Sequence, residues 1–219
     1  MTTPNAGPLD AAAVRVLGAL VEKEATTPDN YPLTLNALVA ACNQTSNREP
    51  VMALEEDAVS RTIEDLRRRS LVRAVQRSDS RTMRYRHLLT ETMSLEGPEL
   101  AALSVLMLRG AQTTGEVKTR AGRLYDFRDL AQVEAAMDAL AARQPSPLAT
   151  RLPRRPGQKE ARYAHLLSGE PAMDSEEHAP PTPSHDGNRL DELQAAVDGL
   201  RAELAMLRAT FEEFRKEFQ

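Results

Sequence analysis

Apolar residues fall at helical spacing and then at strand-like spacing, and this succession occurs twice along the chain. Val14, Leu17, Leu20 and Val21 mark a helix over 10–24, with Asp10 placed to cap its start. After the turn signal Asp29-Asn30-Tyr31-Pro32, Thr34 precedes Leu35, Leu38, Val39 and Cys42, which predicts a short second helix. Val59, Ile63 and Leu66 form a narrow apolar stripe along a third helix over 55–69. Leu71, Val72, Ala74 and Val75 read as a strand, Arg77–Arg81 as a turn and Met83–Leu89 as the returning strand. Leu100, Leu103, Val105, Leu106 and Leu108 then restart the order after Pro98. Thr113-Thr114 cap a short helix through Val117, and Leu130, Val133, Met137 and Leu140 mark another. Leu148 and Leu152, the turn Pro153–Gly157 and Arg162–Leu167 complete a second hairpin.

The repetition reaches individual residues. Arg84-Tyr85-Arg86-His87-Leu88-Leu89 returns as Arg162-Tyr163-Ala164-His165-Leu166-Leu167, each copy closing a helix–helix–helix–hairpin unit. The expected fold is mainly α with small β-hairpins, an α+β arrangement of tandem winged-helix domains over 9–92 and 93–168, behind a disordered N-terminus over 1–8. In that plan the third helix is the usual reader of the major groove and the hairpin touches the DNA backbone or minor groove. Tyr85 and His87, like Tyr163 and His165, share a strand face and are expected to pack against the helices.

Residues 169–188 hold Pro171, Pro180, Pro181 and Pro183 among polar residues, the composition of a disordered acidic linker. Beyond it Leu190, Leu193, Val197, Leu200, Leu204, Leu207, Phe211, Phe214 and Phe218 step alternately by three and four, a coiled-coil seam over 189–219. Glu203 and Arg208 have the spacing of an interhelical ion pair in a parallel homodimer. A helix folded back on its own domains is the alternative, but such a helix usually shows a wider apolar face.

Composition adds exclusions. Aromatics make up 4% of the chain with no Trp, which leaves little for recognition by base stacking. The single cysteine, Cys42, permits no intramolecular disulfide and reads as a small core residue. Four scattered histidines give no zinc spacing, and no cofactor motif, nucleophile elbow or catalytic dyad is present, so no enzyme is indicated. No apolar stretch approaches the roughly 20 residues needed to cross a bilayer, and no leader pattern opens the sequence. A reduced, cytoplasmic protein is expected.

Charge is partitioned. Basic and acidic residues number twelve against eleven over 1–90, eleven against ten over 91–170, and five against eleven over 171–219. The net charge of −4 therefore belongs to the tail and does not argue against a nucleic-acid partner for the front of the chain. Around the first hairpin Arg67, Arg68, Arg69, Arg73, Arg77, Arg81, Arg84 and Arg86 face one acid, Asp79. Around the second, Arg143, Arg151, Arg154, Arg155, Lys159 and Arg162 face Glu160. Arginine suits phosphate because its planar fork donates two parallel hydrogen bonds. The third helices run the other way, with Glu55, Glu56, Asp57, Glu64 and Asp65 in the first unit and Asp129, Glu134 and Asp138 in the second. Two partners are expected as alternatives: double-stranded DNA held by its backbone, or a protein docked through segregated charge. Asn47 and Arg48 join the candidate DNA contacts.

Asn30-Tyr31-Pro32-Leu33-Thr34-Leu35-Asn36 and the run Cys42–Met52 resemble the YceH-like family of uncharacterised bacterial proteins. The resemblance spans about Leu9 to Leu167 and implies a tandem winged-helix fold without implying an activity. Asn47 and Arg48 match the family, whereas Thr45 stands where it has a basic residue.

Overall fold

The computed structural model describes residues 7–76, 82–95, 97–154 and 160–171. Asp10 accepts a hydrogen bond from the Ala13 amide at 2.7 Å and so starts helix α1, Ala11–Thr26. A 3-10 turn, Pro28–Asn30, leads into strand β1, Leu33–Thr34, and helix α2, Leu35–Cys42, which Thr34 caps. Helix α3 covers Glu56–Arg68, followed by strands β2, Val72–Gln76, and β3, Met83–His87. Helix α4, Leu89–Met93, links to the second set: α5, Gly97–Arg109; α6, Thr114–Ala121; α7, Leu130–Ala142; and strands β4, Ala149–Arg151, and β5, Tyr163–His165. The described chain is mainly helical with two small antiparallel hairpins.

The two sets correspond at several backbone pairings and caps. Leu33 lies opposite Tyr85 in the sheet β1-β3-β2, and Gln112 bridges Tyr163 beside β4-β5. Thr34 and Thr113 cap the second helix of their sets, the latter in a full capping box with Glu116. The Leu88 amide donates to Leu71 O at 2.8 Å, as the Leu166 amide does to Leu148 O at 2.8 Å.

Val59, Ile63 and Leu66 are buried as their spacing predicts, and Val133, Met137 and Leu140 behave likewise. Burial exceeds the pattern in α1, where every residue from Ala13 to Glu22 is buried. The reason is α5, itself buried from Ala101 to Leu108, which lies against the back of α1 and joins the halves in one continuous core. Gly18 permits the approach: a Cβ there would stand 2.9 Å from Leu108 Cδ2 and 3.1 Å from Met107 Cβ.

Three expectations change. Leu130, expected in the core stripe of α7, opens that helix 49% exposed. Leu89, expected on the returning strand, begins α4 instead, buried where the chain turns toward the second set. The second returning strand is confined to Tyr163–His165. The expected linker over 169–188 overlaps the described residues only through Pro171, and the coiled-coil seam, Leu190 to Phe218, lies outside them.

Candidate nucleic-acid interface

Strand alternation sorts the basic residues of the first hairpin. Tyr85 and His87 turn inward, Tyr85 packing against the core and His87 lying buried. The Leu89 amide donates to His87 Nδ1 at 3.2 Å, so Nε2 carries the proton and donates to Glu24 at 2.6 Å. Arg84 and Arg86 take the other face, and Arg86 lies directly across from Arg73. Arg73 is exposed, while Arg86 reaches Glu91 in a close ion pair.

Arg84 has a structural assignment. Its guanidinium donates to Pro32 O at 2.8 Å, fastening the Asn30-Tyr31-Pro32 segment onto β3. The Tyr31 hydroxyl accepts from the His87 amide at 2.9 Å in the same joint, and burial together with the nearby Glu24 carboxylate holds that phenol well above the usual tyrosine range.

Arg48 leaves the candidate contact set, because it is 4% exposed and its donors are committed. It grips both carboxylate oxygens of Glu22 at 3.1 and 2.6 Å, donates to Ala41 O at 2.8 Å and reaches Gln44 Oε1 at 3.0 Å. Asn47 is exposed at φ 59° and accepts a hydrogen bond from Arg109 of the second set.

At the end of α3, Arg67 pairs with Glu64 at 2.7 Å, Arg68 with Asp65 at 3.2 Å, and Arg69 with Asp65 at 2.7 Å. The exposed Arg67 and Arg68 pairs are worth only about 0.3–0.5 kcal/mol each, so a phosphate can displace them, whereas the half-buried Arg69 also donates to Gly7 O at 2.8 Å. In the second hairpin Arg154 is exposed, and Arg162 lies 4.0 Å from Glu116. Arg77, Arg81, Arg155 and Lys159 lie outside the described residues.

The acids of the third helices differ in role. Asp129 caps α7 by accepting from the Gln132 amide at 2.8 Å, and Asp138 accepts from the Tyr163 hydroxyl at 3.1 Å. Glu55, Glu56 and Asp57, in contrast, are exposed at the start of α3. Burial pushes the Cys42 thiol up to about 12, as befits a small core residue. Among the described residues no group of His, Cys, Asp and Glu could hold a metal ion, and no helix is long and apolar enough to cross a membrane.

Arg15 escaped the reading of the sequence. It is 1% exposed and donates to Cys42 O at 3.0 Å and Pro50 O at 2.5 Å, tying the end of α2 to the loop that follows it. Its one signal was a charge inside the apolar run Ala11–Leu20.

Residues 9–158 match the family model described as protein of unknown function, DUF480. The chain belongs to the DUF480 family. This is the assignment toward which the Asn30–Asn36 and Cys42–Met52 motifs pointed. UPF0502 proteins of Geobacter sulfurreducens and Geobacter metallireducens are each 50% identical to this DUF480 chain, over 96% of its length and 98% of theirs. A UPF0502 protein of Chromobacterium violaceum is 53% identical over 75% of this chain and 74% of its own.

Proposed function

We propose that this protein is a non-enzymatic, cytoplasmic DNA-binding protein of regulatory type, built from tandem winged helices and paired as a homodimer through its C-terminal heptads. The pairing of Arg73 with Arg86 across the exposed face of the first hairpin carries the reading. Like charges directly opposite on a sheet are destabilising, and Glu91 offsets only one of them, so the surface favours an incoming anion. The weakly paired Arg67 and Arg68 extend that charge, and Arg154 and Arg162 supply a second patch.

The test is a duplex titration across salt concentrations. Each phosphate contact contributes a slope of about −0.9 in log affinity against log salt. Replacing Arg73, Arg77, Arg81 and Arg86 with alanine is expected to abolish binding with the circular dichroism spectrum unchanged. Arg84 is kept because it holds Pro32. A wild-type chain with no salt-sensitive affinity for any duplex would sink the reading.

Exposed Glu55, Glu56 and Asp57 favour a second reading, a tandem winged-helix scaffold, itself similar to partners of chromosome-condensing complexes, that docks a basic protein. These acids would meet phosphates if α3 entered a groove. Removal of residues 189–219 is expected to convert dimers to monomers by light scattering. A full-length chain that is already monomeric rules out pairing through the heptads.

A further inference from the structure

A cleft of about 160 Å³ opens between the two sets of elements, walled by the end of α1, the loop after α2, the end of α5 and the residues of α6 and just beyond. Its volume lies below the range of drug-sized ligand pockets, so it suits a small ligand. Lys23, Arg109, Arg120 and Arg123 line it, with Glu22 as the one acid among the lining residues. Arg48 already occupies both oxygens of that acid.

The bland account is that cations gather where helices end. α1, α5 and α6 all end here, and each end carries about half a negative charge. Glu116, 3.6 Å from Arg120, removes one further positive charge. Three helix ends and two carboxylates leave five cations, counting Arg48, in excess by about one and a half unit charges. Glu49, beyond the lining, offsets part of this. The field on Arg109 records the balance: burial first, then repulsion from Arg120 and Arg48, lowers its pKa despite Glu22 and Glu49.

Neutral donors complete the set. Gln44 turns its carbonyl oxygen to Arg48 and Asn47 turns its own to Arg109, which leaves both amide N–H₂ groups as donors beside the Ser46 hydroxyl. These three residues belong to the Cys42–Met52 motif, most of which the DNA surface does not use. We propose that this cleft is a binding site for a small dianion of the phosphate class, held by Arg109 and Arg123 from one side and by the Gln44–Asn47 loop from the other. Arginine matches phosphate oxygens in fork geometry, and a ligand bridging the two sets would fasten one to the other. The inference does not depend on DNA binding, since neither arginine belongs to the hairpins.

Isothermal titration of the full chain with inorganic phosphate, and separately with succinate at equal ionic strength, tests it. Phosphate is expected to bind at one site per chain and to weaken at least tenfold in both Arg109→Gln and Arg123→Gln, with succinate at least tenfold weaker than phosphate. Arg123 is exposed, so its variant remains informative if loss of the Arg109–Asn47 bond impairs folding. No phosphate heat in the wild type, equal affinity in Arg123→Gln, or succinate binding as well as phosphate would each overturn the proposal.

Discussion

Replacing Glu22 with glutamine is expected to lower the unfolding free energy by about 3 kcal/mol, near the lower end of the cost of removing one partner of a buried ion pair. The Arg48 side chain is fully buried, and that of Glu22 is 11% exposed. Glutamine keeps the volume but leaves a guanidinium in the interior with no counter-charge. The loss stays near the lower end because the Ala41 and Asn47 carbonyls and Gln44 still accept from Arg48. Urea melts would show an earlier midpoint at constant slope. A loss under about 1 kcal/mol would contradict the assignment of Arg48 as an interior anchor. The double variant Glu22→Leu with Arg48→Met should recover much of the loss, since apolar replacement of a whole buried pair is often near neutral.

Gly18→Val is expected to cost about 3 kcal/mol, the upper part of the usual range for overpacking a core. Even the first added carbon would stand 2.9 Å from Leu108 and 3.1 Å from Met107 Cβ, and both neighbours are buried. The Met107 contact is made by a Cβ fixed to its helix, so relief requires α1 and α5 to separate. A β-branched residue adds two more atoms at the joint. Thermal denaturation followed by circular dichroism measures the effect. An unchanged midpoint would mean that the helices slide apart without cost and that the close approach does not matter.

The elements were legible where periodicity was strong. Val59, Ile63 and Leu66 announced α3, and Thr34 and Thr113 announced the helices they cap. β1 was invisible because two residues cannot show an alternation, and Gln112, its counterpart, makes only an isolated bridge. The full burial of α1 was hidden because its second covering surface, α5, comes about 80 residues later.

Charges were the least legible. Arg48 and Arg84 have the composition of a phosphate-binding surface, yet folding sets the first against Glu22 and the second against Pro32. Counting arginines along a chain cannot separate those that meet a carbonyl from those that meet water. Arg73 and Arg86 became distinguishable only once strand register was known. Lys23, Arg109 and Arg123 come from separate elements, and no spacing rule links them.

The Leu9 amide donates to Leu167 O at 2.8 Å, so the start of one repeat is hydrogen-bonded to the end of the other. Segments tied down in this way fray less readily than free ones. Dissection at the duplicated boundary would therefore cut two connections. A fragment ending near residue 92 would lose the Leu167 carbonyl and lay bare the back of α1, so the two copies serve as each other's interior.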